Sequence, residues 1–299
     1  MTAVTAPDTD PAMPNPFLEG TRVQPSGSGR YAAEIDPRWN LRPLPQGGIV
    51  TALALRAMAA ELGDANQRLR TLHTAFIAQV AAGSVVIDVE VLRRGKSMSH
   101  LRAEVRNVDS GRGHVTTAVF GGERPGFAFT DLRPPIGLPL PSACRSFRDP
   151  PPPHARAFEP MPFWDRLVEG RAALGHAPWD DWVPERAERA YWYRFDEPPF
   201  LEDGTIDPLS LVVLADTMPG AVSEKIGQRE REWFAPSIDL TVHLLGECRS
   251  PWVLAHNCAR HAGDGYASAD MALWACGPEC TDEPRLVAYA TQLFLFRFL

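Results

Sequence analysis

The chain has 299 residues, of which 44% are hydrophobic and 22% are charged, and its formal net charge is −7. These values are typical of a globular protein of one or two domains. The negative balance gives no electrostatic reason to expect a nucleic acid or an anionic membrane as a partner, and no apolar run approaches the roughly 20 residues of a membrane span.

The first segment, residues 1–16, is polar and rich in Pro, Thr and Asp. It lacks the basic region followed by an apolar stretch that is typical of a secretory signal, and we expect it to be disordered. The chain has five cysteines, an odd count that does not indicate a disulfide framework. Free thiols in a reducing compartment are a simpler explanation of these cysteines than disulfides, so we expect a cytoplasmic protein.

Residues 17–131 predict a first domain with one strand, one helix and four further strands. The opening strand is Arg30–Ile35 and the helix is Gly47–Leu62. Runs with β-branched residues or alternation, separated by Gly or Asp-Ser-Gly, predict the other strands at Leu72–Val80, Val85–Arg93, Ser97–Val108 and His114–Phe120.

Residues 132–185 predict a connector between two domains. Their first part is dense in proline and includes the run Pro150–Pro153. Proline at this density is incompatible with a helix interior or a central strand. We therefore expect a semi-rigid, extended segment that runs along the protein surface.

Residues 186–299 repeat the order of the first domain. An opening strand is predicted at Ala190–Phe195 and a helix at Asp207–Val222. Four strand-like runs follow, at Ser237–Leu245, Trp252–Arg260, Ala267–Ala275 and Leu286–Phe298. Local echoes in the same order, such as LHTAFIAQV and IDLTVHLLG, predict an internal duplication.

Both predicted helices are apolar on nearly every side, so each must be covered all round. A curved antiparallel sheet wrapped around each helix achieves this, and two such units side by side cover each other's open flanks. The predicted fold class is therefore α+β. A mixed α/β sheet is the alternative, but consecutive strands joined by short turns favour antiparallel hairpins.

Two polar residues interrupt apolar runs in the second domain. Asp216 follows five apolar residues on the predicted helix, where a carboxylate is costly unless it is hydrogen-bonded or paired. It is either a base whose pKa is tuned by a half-dry cleft or a structural Asp bonded to a neighbouring loop. Gln292 lies in the last strand and either binds water or substrate or is a satisfied polar side chain.

The strand that follows the second helix has polar residues at alternate positions. Ser237, Asp239, Thr241 and His243 are expected to share one face, which is either solvated or lines a site. At the start of the first helix, Gly47 and Gly48 either let a ligand approach the backbone or form a tight turn.

Other polar clusters carry weaker signals. A hairpin-turn cluster, which either contacts phosphates or is solvated, contains Arg93, Arg94 and Lys96. Cys276 and Cys280, with His256 and His261 nearby, are better explained as ordinary thiols and histidines than as a metal site. His73 and His243 are expected to be packed or at the surface. A G-x-S-x-G elbow, a P-loop and a G-x-G-x-x-G fingerprint are all absent from the sequence.

The two halves together resemble the type II acyl-CoA thioesterases, a family with two hotdog domains in tandem. The resemblance rests on PQGGIVTALALRAM, LHTAFIAQV and VEVLRRGKSMSHLRAEV in the first half and on DPLSLVVLADTMP, PSIDLTVHLL and LVAYATQ in the second. It covers about residues 20–125 and 185–299. The resemblance implies an acyl-CoA substrate and assembly as a homo-oligomer. We expect no cofactor and no metal.

The resemblance also implies three catalytic residues: Asp216 as general base, with Gln292 and a hydroxyl on the strand after the second helix. The hydroxyl matches Ser237, and Thr241 is a less favoured placement. Water activated by Asp216 would attack the thioester carbonyl, while the N-terminus of the first helix, at Gly47 and Gly48, would stabilise the oxyanion.

One site per chain is expected. When Gly47 is aligned with Asp207, Arg56 falls opposite Asp216, and Ala118 or Val119 falls opposite Gln292. Two other functions stay open: a hotdog hydratase or dehydratase, and a non-hydrolytic protein that binds acyl thioesters.

Overall fold

The computed structural model describes residues 15–153, 161–227, 233–277 and 282–298. Its α-helices are α1 (Pro16–Gly20), α2 (Gly47–Leu62), α3 (Pro162–Arg166), α4 (Pro208–Ala215) and α5 (Gly220–Ile226). Short 3₁₀ turns lie at Pro37–Trp39 and Pro141–Ala143.

The strands of the first half are β1 (Gln24–Gly27), β2 (Arg30–Ile35), β3 (Arg68–Phe76), β4 (Gly83–Arg93), β5 (Met98–Asn107) and β6 (His114–Gly121). Those of the second half are β7 (Val168–Leu174), β8 (Glu188–Phe195), β9 (Trp233–Phe234), β10 (Asp239–Leu244), β11 (Val253–Gly263), β12 (Tyr266–Ala275), β13 (Arg285–Leu295) and β14 (Arg297–Phe298). The predicted bounds of β2 and α2 are confirmed, and the other long strands shift by a few residues at their ends.

Twelve strands form one antiparallel sheet in the order β1-β2-β4-β5-β6-β3-β10-β13-β12-β11-β8-β7, and β9 pairs separately with β14. From the β3–β10 junction outward the two halves have the same order of strands. The junction pairs Leu72 with Val242 and Thr74 with Leu240, and the Phe76 N–H extends it by donating to the Ile238 carbonyl at 2.9 Å.

The two longest apolar helices, α2 and α4, pack against each other and against one face of the sheet. In α2 nearly every residue from Gly48 to Met58 is buried, and in α4 every residue from Leu209 to Ala215 is buried. The structure thus confirms that both helices are covered on all sides, as their sequences predict.

The second helix is shorter than predicted. α4 ends at Ala215, a turn follows, and α5 begins only at Gly220. Pro219 explains the break, because its ring cannot follow a helical carbonyl four residues earlier and it disfavours helical geometry at Met218. Asp216 therefore caps α4, with φ −84° and ψ 46°, and does not lie inside a continuous helix.

The predicted connector is partly regular. β7 lies inside residues 132–185 and adds an edge strand to β8, which was not predicted. Prolines are absent from Phe163 to Ala177, so a ladder can form there. Part of the proline-rich segment contacts the outer face of the sheet, where the Pro139 carbonyl accepts a hydrogen bond from the Trp192 indole at 2.9 Å.

The predicted N-terminal disorder is corrected at its end. Asn15 caps α1, whose first residue is Pro16, through two backbone N–H groups, whereas residues 1–14 lie outside the described part of the chain. No helix in the described ranges is long and apolar enough to cross a membrane.

Candidate active site

Three side chains from separate elements meet at the C-terminus of α4. Asp216 caps the helix, Ser237 lies just before β10, and Gln292 lies within β13. Asp216 and Gln292 are 6% and 2% exposed, and Ser237 is half-buried. The residues that the sequence singled out are therefore neighbours in space.

The three side chains share a closed set of hydrogen bonds. Ser237 Oγ donates to Asp216 Oδ1 at 3.1 Å, and Gln292 Nε2 donates to the same oxygen. Gln292 Nε2 also lies 2.9 Å from Ser237 Oγ. Asp216 Oδ1 thus accepts hydrogen bonds from both Ser237 and Gln292, which favours the ionised carboxylate.

Ser237 reaches this position because the β10–β13 register slips. Thr241 pairs with Thr291, so Ile238 would be expected opposite Phe294, yet Ser237 forms that bridge. The extra residue is a β-bulge, where the Asp239 carboxylate accepts the Leu293 N–H at 2.8 Å. A slip of one residue moves a side chain to the opposite face, so Ser237 points inward.

The prediction that Ser237 shares a face with Asp239, Thr241 and His243 is therefore wrong. Thr241 Oγ1 lies 3.0 Å from His73 Nδ1 on the outer face, and His243 is exposed there too. Thr241, the less favoured placement for the hydroxyl, is not part of the Asp216 cluster.

The N-terminus of α2 closes the other side of Asp216. The Gly48 N–H donates to Asp216 Oδ2 at 2.9 Å. A Cβ on Gly47 would lie 2.8 Å from Asp216 Oδ2, and one on Gly48 would lie 2.8 Å from the Val212 carbonyl. The two glycines thus permit close packing of α2 on α4, and the Gly48 amide, expected to face an oxyanion, is bonded to the carboxylate instead.

Gln46 joins the two helix ends and was not singled out in the sequence. Its Oε1 accepts the Ile49 N–H at 3.0 Å, and its Nε2 donates to the carbonyls of Val213 at 2.7 Å and Asp216 at 3.1 Å. Its position just before the glycine pair was the available signal, since Gln can cap α2 and donate to the partner helix at once.

An aromatic wall lies beside this helix end. The Phe76 ring lies against Gly47 and contacts His114 edge-on, with ring centroids 4.8 Å apart. Burial lowers the pKa of His114 to about 4, so the imidazole is neutral at pH 7. His114 was predicted only as the start of a strand.

Two opposing effects act on the acid itself. Burial raises the pKa of Asp216, while hydrogen bonds from Gln292, Ser237, Gly48 and Gly47 lower it. Burial dominates and moves the pKa from 3.8 to about 6. A carboxylate with this pKa is ionised at pH 7 but still basic enough to accept a proton.

Gln292 also presents an acceptor. Its Oε1 is buried and has no hydrogen-bond partner within the described ranges. Buried amide oxygens normally accept a hydrogen bond, so this oxygen is suited to accept one from a water or a ligand. Because Nε2 of the same amide bonds the Asp216 carboxylate, this acceptor belongs to a side chain in direct contact with the acid.

The opposite ends of the two helices form a different pair. Arg56, aligned with Asp216 in the sequence, donates to the Asp207 carboxylate at the N-terminus of α4. Asp207 is 1% exposed and also caps Leu209. The counterpart of the Asp216 cluster is therefore an ion pair, consistent with the single site expected from the alignment.

The other predicted clusters lie elsewhere. Arg94 donates to the carbonyls of Leu62 at 2.6 Å and Glu61 at 3.1 Å, so it caps α2, whereas Arg93 and Lys96 are exposed. Cys280, which belongs to the alternative interpretation as a metal site, lies outside the described residues. The other three residues of that alternative have different environments. Cys276 is buried among tryptophans, His256 bonds Glu188, and His261 is exposed.

Family models match both halves of the chain. The acyl-CoA thioesterase N-terminal domain matches residues 35–121, and the acyl-CoA thioesterase C-terminal domain matches residues 141–296. The chain belongs to the acyl-CoA thioesterase family. The C-terminal match begins within the predicted connector and includes β7.

Solved structures with the hotdog fold resemble this family member along nearly the whole chain. A hotdog protein from Alicyclobacillus acidocaldarius is 22% identical, with 95% of this chain and 99% of the other covered and a TM-score of 0.78. A putative thioesterase II from Thermobifida fusca is 20% identical, with coverage of 95% and 99% and a TM-score of 0.75. An acyl-CoA thioesterase II from Mycobacterium marinum is 20% identical, with coverage of 95% and 98% and a TM-score of 0.66.

These likenesses show the hotdog fold and fit the α+β class predicted from the sequence. Comparison with curated protein sequences gave no match.

Proposed function

We propose that the protein hydrolyses an acyl-CoA thioester to a free acid and coenzyme A, with Asp216 as general base. The observation that carries the proposal is the Asp216 carboxylate: it is buried, it accepts hydrogen bonds from Ser237, Gln292 and Gly48, and its pKa is raised to about 6. Each feature matches the requirements of a base that works near neutral pH.

The reaction needs only water and these side chains. Gln292 Oε1 accepts a hydrogen bond from one O–H of the attacking water, and Asp216 removes the proton of the other O–H as the oxygen bonds to the thioester carbonyl carbon. Collapse of the tetrahedral intermediate breaks the carbon–sulfur bond, and the proton held by Asp216 passes to the departing thiolate. Water is consumed, and one acid and one thiol form.

Ser237 and the helix α2 position the base. The Ser237 hydroxyl and the Gly48 amide hold opposite oxygens of the carboxylate, so Asp216 cannot rotate away from Gln292. In the proposed architecture two hotdog units stand in tandem. The second supplies Asp216, Ser237 and Gln292, and the first supplies the α2 N-terminus that completes the site.

A dehydratase is the alternative reaction on this scaffold. The dehydratase domain of RzxB from Pseudomonas fluorescens is 13% identical to this chain with a TM-score of 0.57. In the part of the chain that the structure describes, the hydrogen-bond partners of the Asp216 carboxylate are Ser237, Gln292, Gly48 and Gly47, and none is a histidine. Hydrolysis therefore fits the site better than an Asp–His pair acting on carbon.

We further propose that the protein acts in the cytoplasm without a cofactor, as a homo-oligomer. Large apolar side chains stand almost fully exposed on the segment after β6: Phe127, Phe129 and Ile136 are 101%, 82% and 99% exposed. Exposed apolar groups concentrated in this way mark contact surfaces. Light scattering during size exclusion tests the oligomer, and a monomer at micromolar concentration would contradict it.

The function is tested by release of free thiol from a panel of acyl-CoAs, with Ser237→Ala and Thr241→Ala as a matched pair. Both variants lose a hydroxyl near β10, but only Ser237 contacts Asp216. We expect kcat/KM to fall by about 10- to 100-fold in Ser237→Ala, the worth of a hydrogen bond to a charged group, and to stay near wild type in Thr241→Ala.

A wild-type protein that releases thiol from no acyl-CoA would contradict hydrolysis and favour binding or dehydration. Equal losses in both variants would show that the Ser237 contact with Asp216 has no special role.

A further inference from the structure

Three potential metal ligands converge on the outer face of the sheet, away from the Asp216 cluster. Glu188 on β8 lies opposite Cys258 on β11, and His256 precedes Cys258 by two residues on the same face. The His256, Glu188 and Cys258 ligand atoms all lie within 4.8 Å of one another. Their spacing in sequence gives no motif, because Glu188 comes from another strand.

Both partners approach the same ring nitrogen of His256. Glu188 Oε1 lies 2.9 Å from His256 Nε2, and Cys258 Sγ lies 3.6 Å from it. A ring nitrogen carries either one proton or one lone pair, so it makes one good hydrogen bond. If Nε2 bonds Glu188, Cys258 is left without a good hydrogen bond to it. A cation bound between the three side chains would instead accept a lone pair from each of them.

The two separations that involve His256 suit a small tetrahedral ion, and the Cys258 and Glu188 ligand atoms lie within 4.8 Å of each other. Zn²⁺ binds nitrogen and carboxylate oxygen at about 2.0–2.2 Å and sulfur at about 2.3 Å, which places tetrahedral ligand atoms about 3.3–3.6 Å apart. The separation of 3.6 Å between sulfur and nitrogen falls there, and the 2.9 Å oxygen contact needs only a small outward movement.

Burial and charge fit a bound ion with one open position. Cys258 is buried, while the side chains of His256 and Glu188 are 16% and 29% exposed, so water can reach a fourth corner. The nearby Arg260 is held by both oxygens of Asp270 and leaves the thiol available. A carboxylate and a thiolate together balance a doubly charged cation.

We propose that Glu188, His256 and Cys258 form a binding site for a late first-row divalent ion of the Zn²⁺ type. The mixed nitrogen, sulfur and oxygen donors favour such an ion over Mg²⁺ or Ca²⁺, which prefer oxygen alone. Binding of the ion would displace the proton of the Cys258 thiol.

The site ties together two strands whose inner faces support the Asp216 turn. Between His256 and Cys258, Asn257 points inward and donates to the Met218 carbonyl at 2.8 Å. Its cross-strand neighbour Arg189 donates to the Thr217 carbonyl at 2.6 Å. A metal that clamps β8 to β11 therefore stabilises the framework behind the turn that carries Asp216.

The test loads the full chain with Zn²⁺ or Co²⁺ after treatment with a chelator and counts the metal retained after dialysis. We expect one equivalent of Zn²⁺ per chain, a thermal midpoint that rises with Zn²⁺ concentration, and a near-ultraviolet thiolate-to-metal band with Co²⁺. Cys258→Ser should abolish the band, and Cys258→Ser and Glu188→Gln should each weaken Zn²⁺ binding by at least about 100-fold.

Cys144→Ser is the matched control, because it removes another buried thiol outside the cluster. It should keep both the band and the affinity. Wild-type protein that retains no Zn²⁺ and shows no Co²⁺ band overturns the site without any variant. Retention that is equal in Cys258→Ser, Glu188→Gln and Cys144→Ser overturns it as well. None of these readouts depends on thioester hydrolysis.

Discussion

Replacement of Asp216 by Asn removes a negative charge that the fold disfavours but preserves the shape of the side chain. The pKa of Asp216 is raised from 3.8 to about 6, so above this range folding disfavours the carboxylate over the neutral acid by about 3 kcal/mol. The amide of the Asp216→Asn variant does not ionise and carries no such cost. The variant should therefore gain stability relative to wild type as the pH rises.

The direction follows from linkage. Below pH 3.8 the carboxyl is protonated in both states of wild type, and its burial costs no charge. Between the two pKa values the unfolded chain ionises while the folded chain holds the proton, so wild type loses stability as pH rises. Above about pH 6 both are ionised, and the loss of about 3 kcal/mol is complete.

Urea unfolding of both proteins across this range measures the effect. Between about pH 4.5 and about pH 8 the unfolding free energy of Asp216→Asn should rise relative to wild type by about 2 kcal/mol. Because the change between the two pH values is compared in the two proteins, the contributions of other titrating groups cancel, and so does any pH-independent cost of the amide. A difference between the proteins that is the same at both pH values would refute the buried, raised-pKa description of Asp216.

Three further results are expected. The kcat/KM of wild type should fall below about pH 6 with the slope of one proton, as Asp216 becomes protonated, and a pH–rate profile measures it. Gly48→Ala should lose about 1–3 kcal/mol of stability and most activity, because its Cβ would lie 2.8 Å from the α4 backbone. Arg56→Met should cost about 1–3 kcal/mol in urea unfolding, because it strands the buried Asp207 carboxylate, although Arg56 itself is partly exposed.

Matched controls sharpen these results. Gly126→Ala adds a methyl group where nothing lies within 4 Å and should be neutral, and Arg68→Met breaks an exposed pair with Glu247 and should cost less than about 1 kcal/mol. Activity that persists unchanged well below pH 6 would contradict Asp216 as the base. Costs equal to those of the controls would contradict the packing and ion-pair arguments.

Much of the fold follows from local patterns. The α2 segment is apolar on nearly every side and ends at Leu62, before Gly63, which has φ 60° and forms its C-cap, so both its bounds and its burial could be predicted. The long strands could also be located from local patterns, because apolar and polar residues alternate along them and turn residues separate them. The sheet edge formed by β7 was not predicted, because its residues lie inside a segment that is proline-rich on both sides and that is predicted to be a connector.

The candidate site was predictable as a set of residues but not as a geometry. Asp216 and Gln292 stood out because each interrupts an apolar run. The inward turn of Ser237 depends on a bulge, and strict alternation placed it on the wrong face. The role of Gln46 and the partner of the Gly48 amide depend on how α2 meets α4, which no local pattern contains.

The central claim is that a water activated by Asp216 hydrolyses an acyl-CoA thioester, and turnover of Asp216→Asn tests it most directly. Urea unfolding of the variant at about pH 8 shows whether it is folded under the assay conditions, so a loss of activity can be separated from unfolding. Free-thiol release from the best acyl-CoA should fall by at least about 100-fold, the worth of a positioned general base. Activity within about tenfold of wild type would contradict the mechanism.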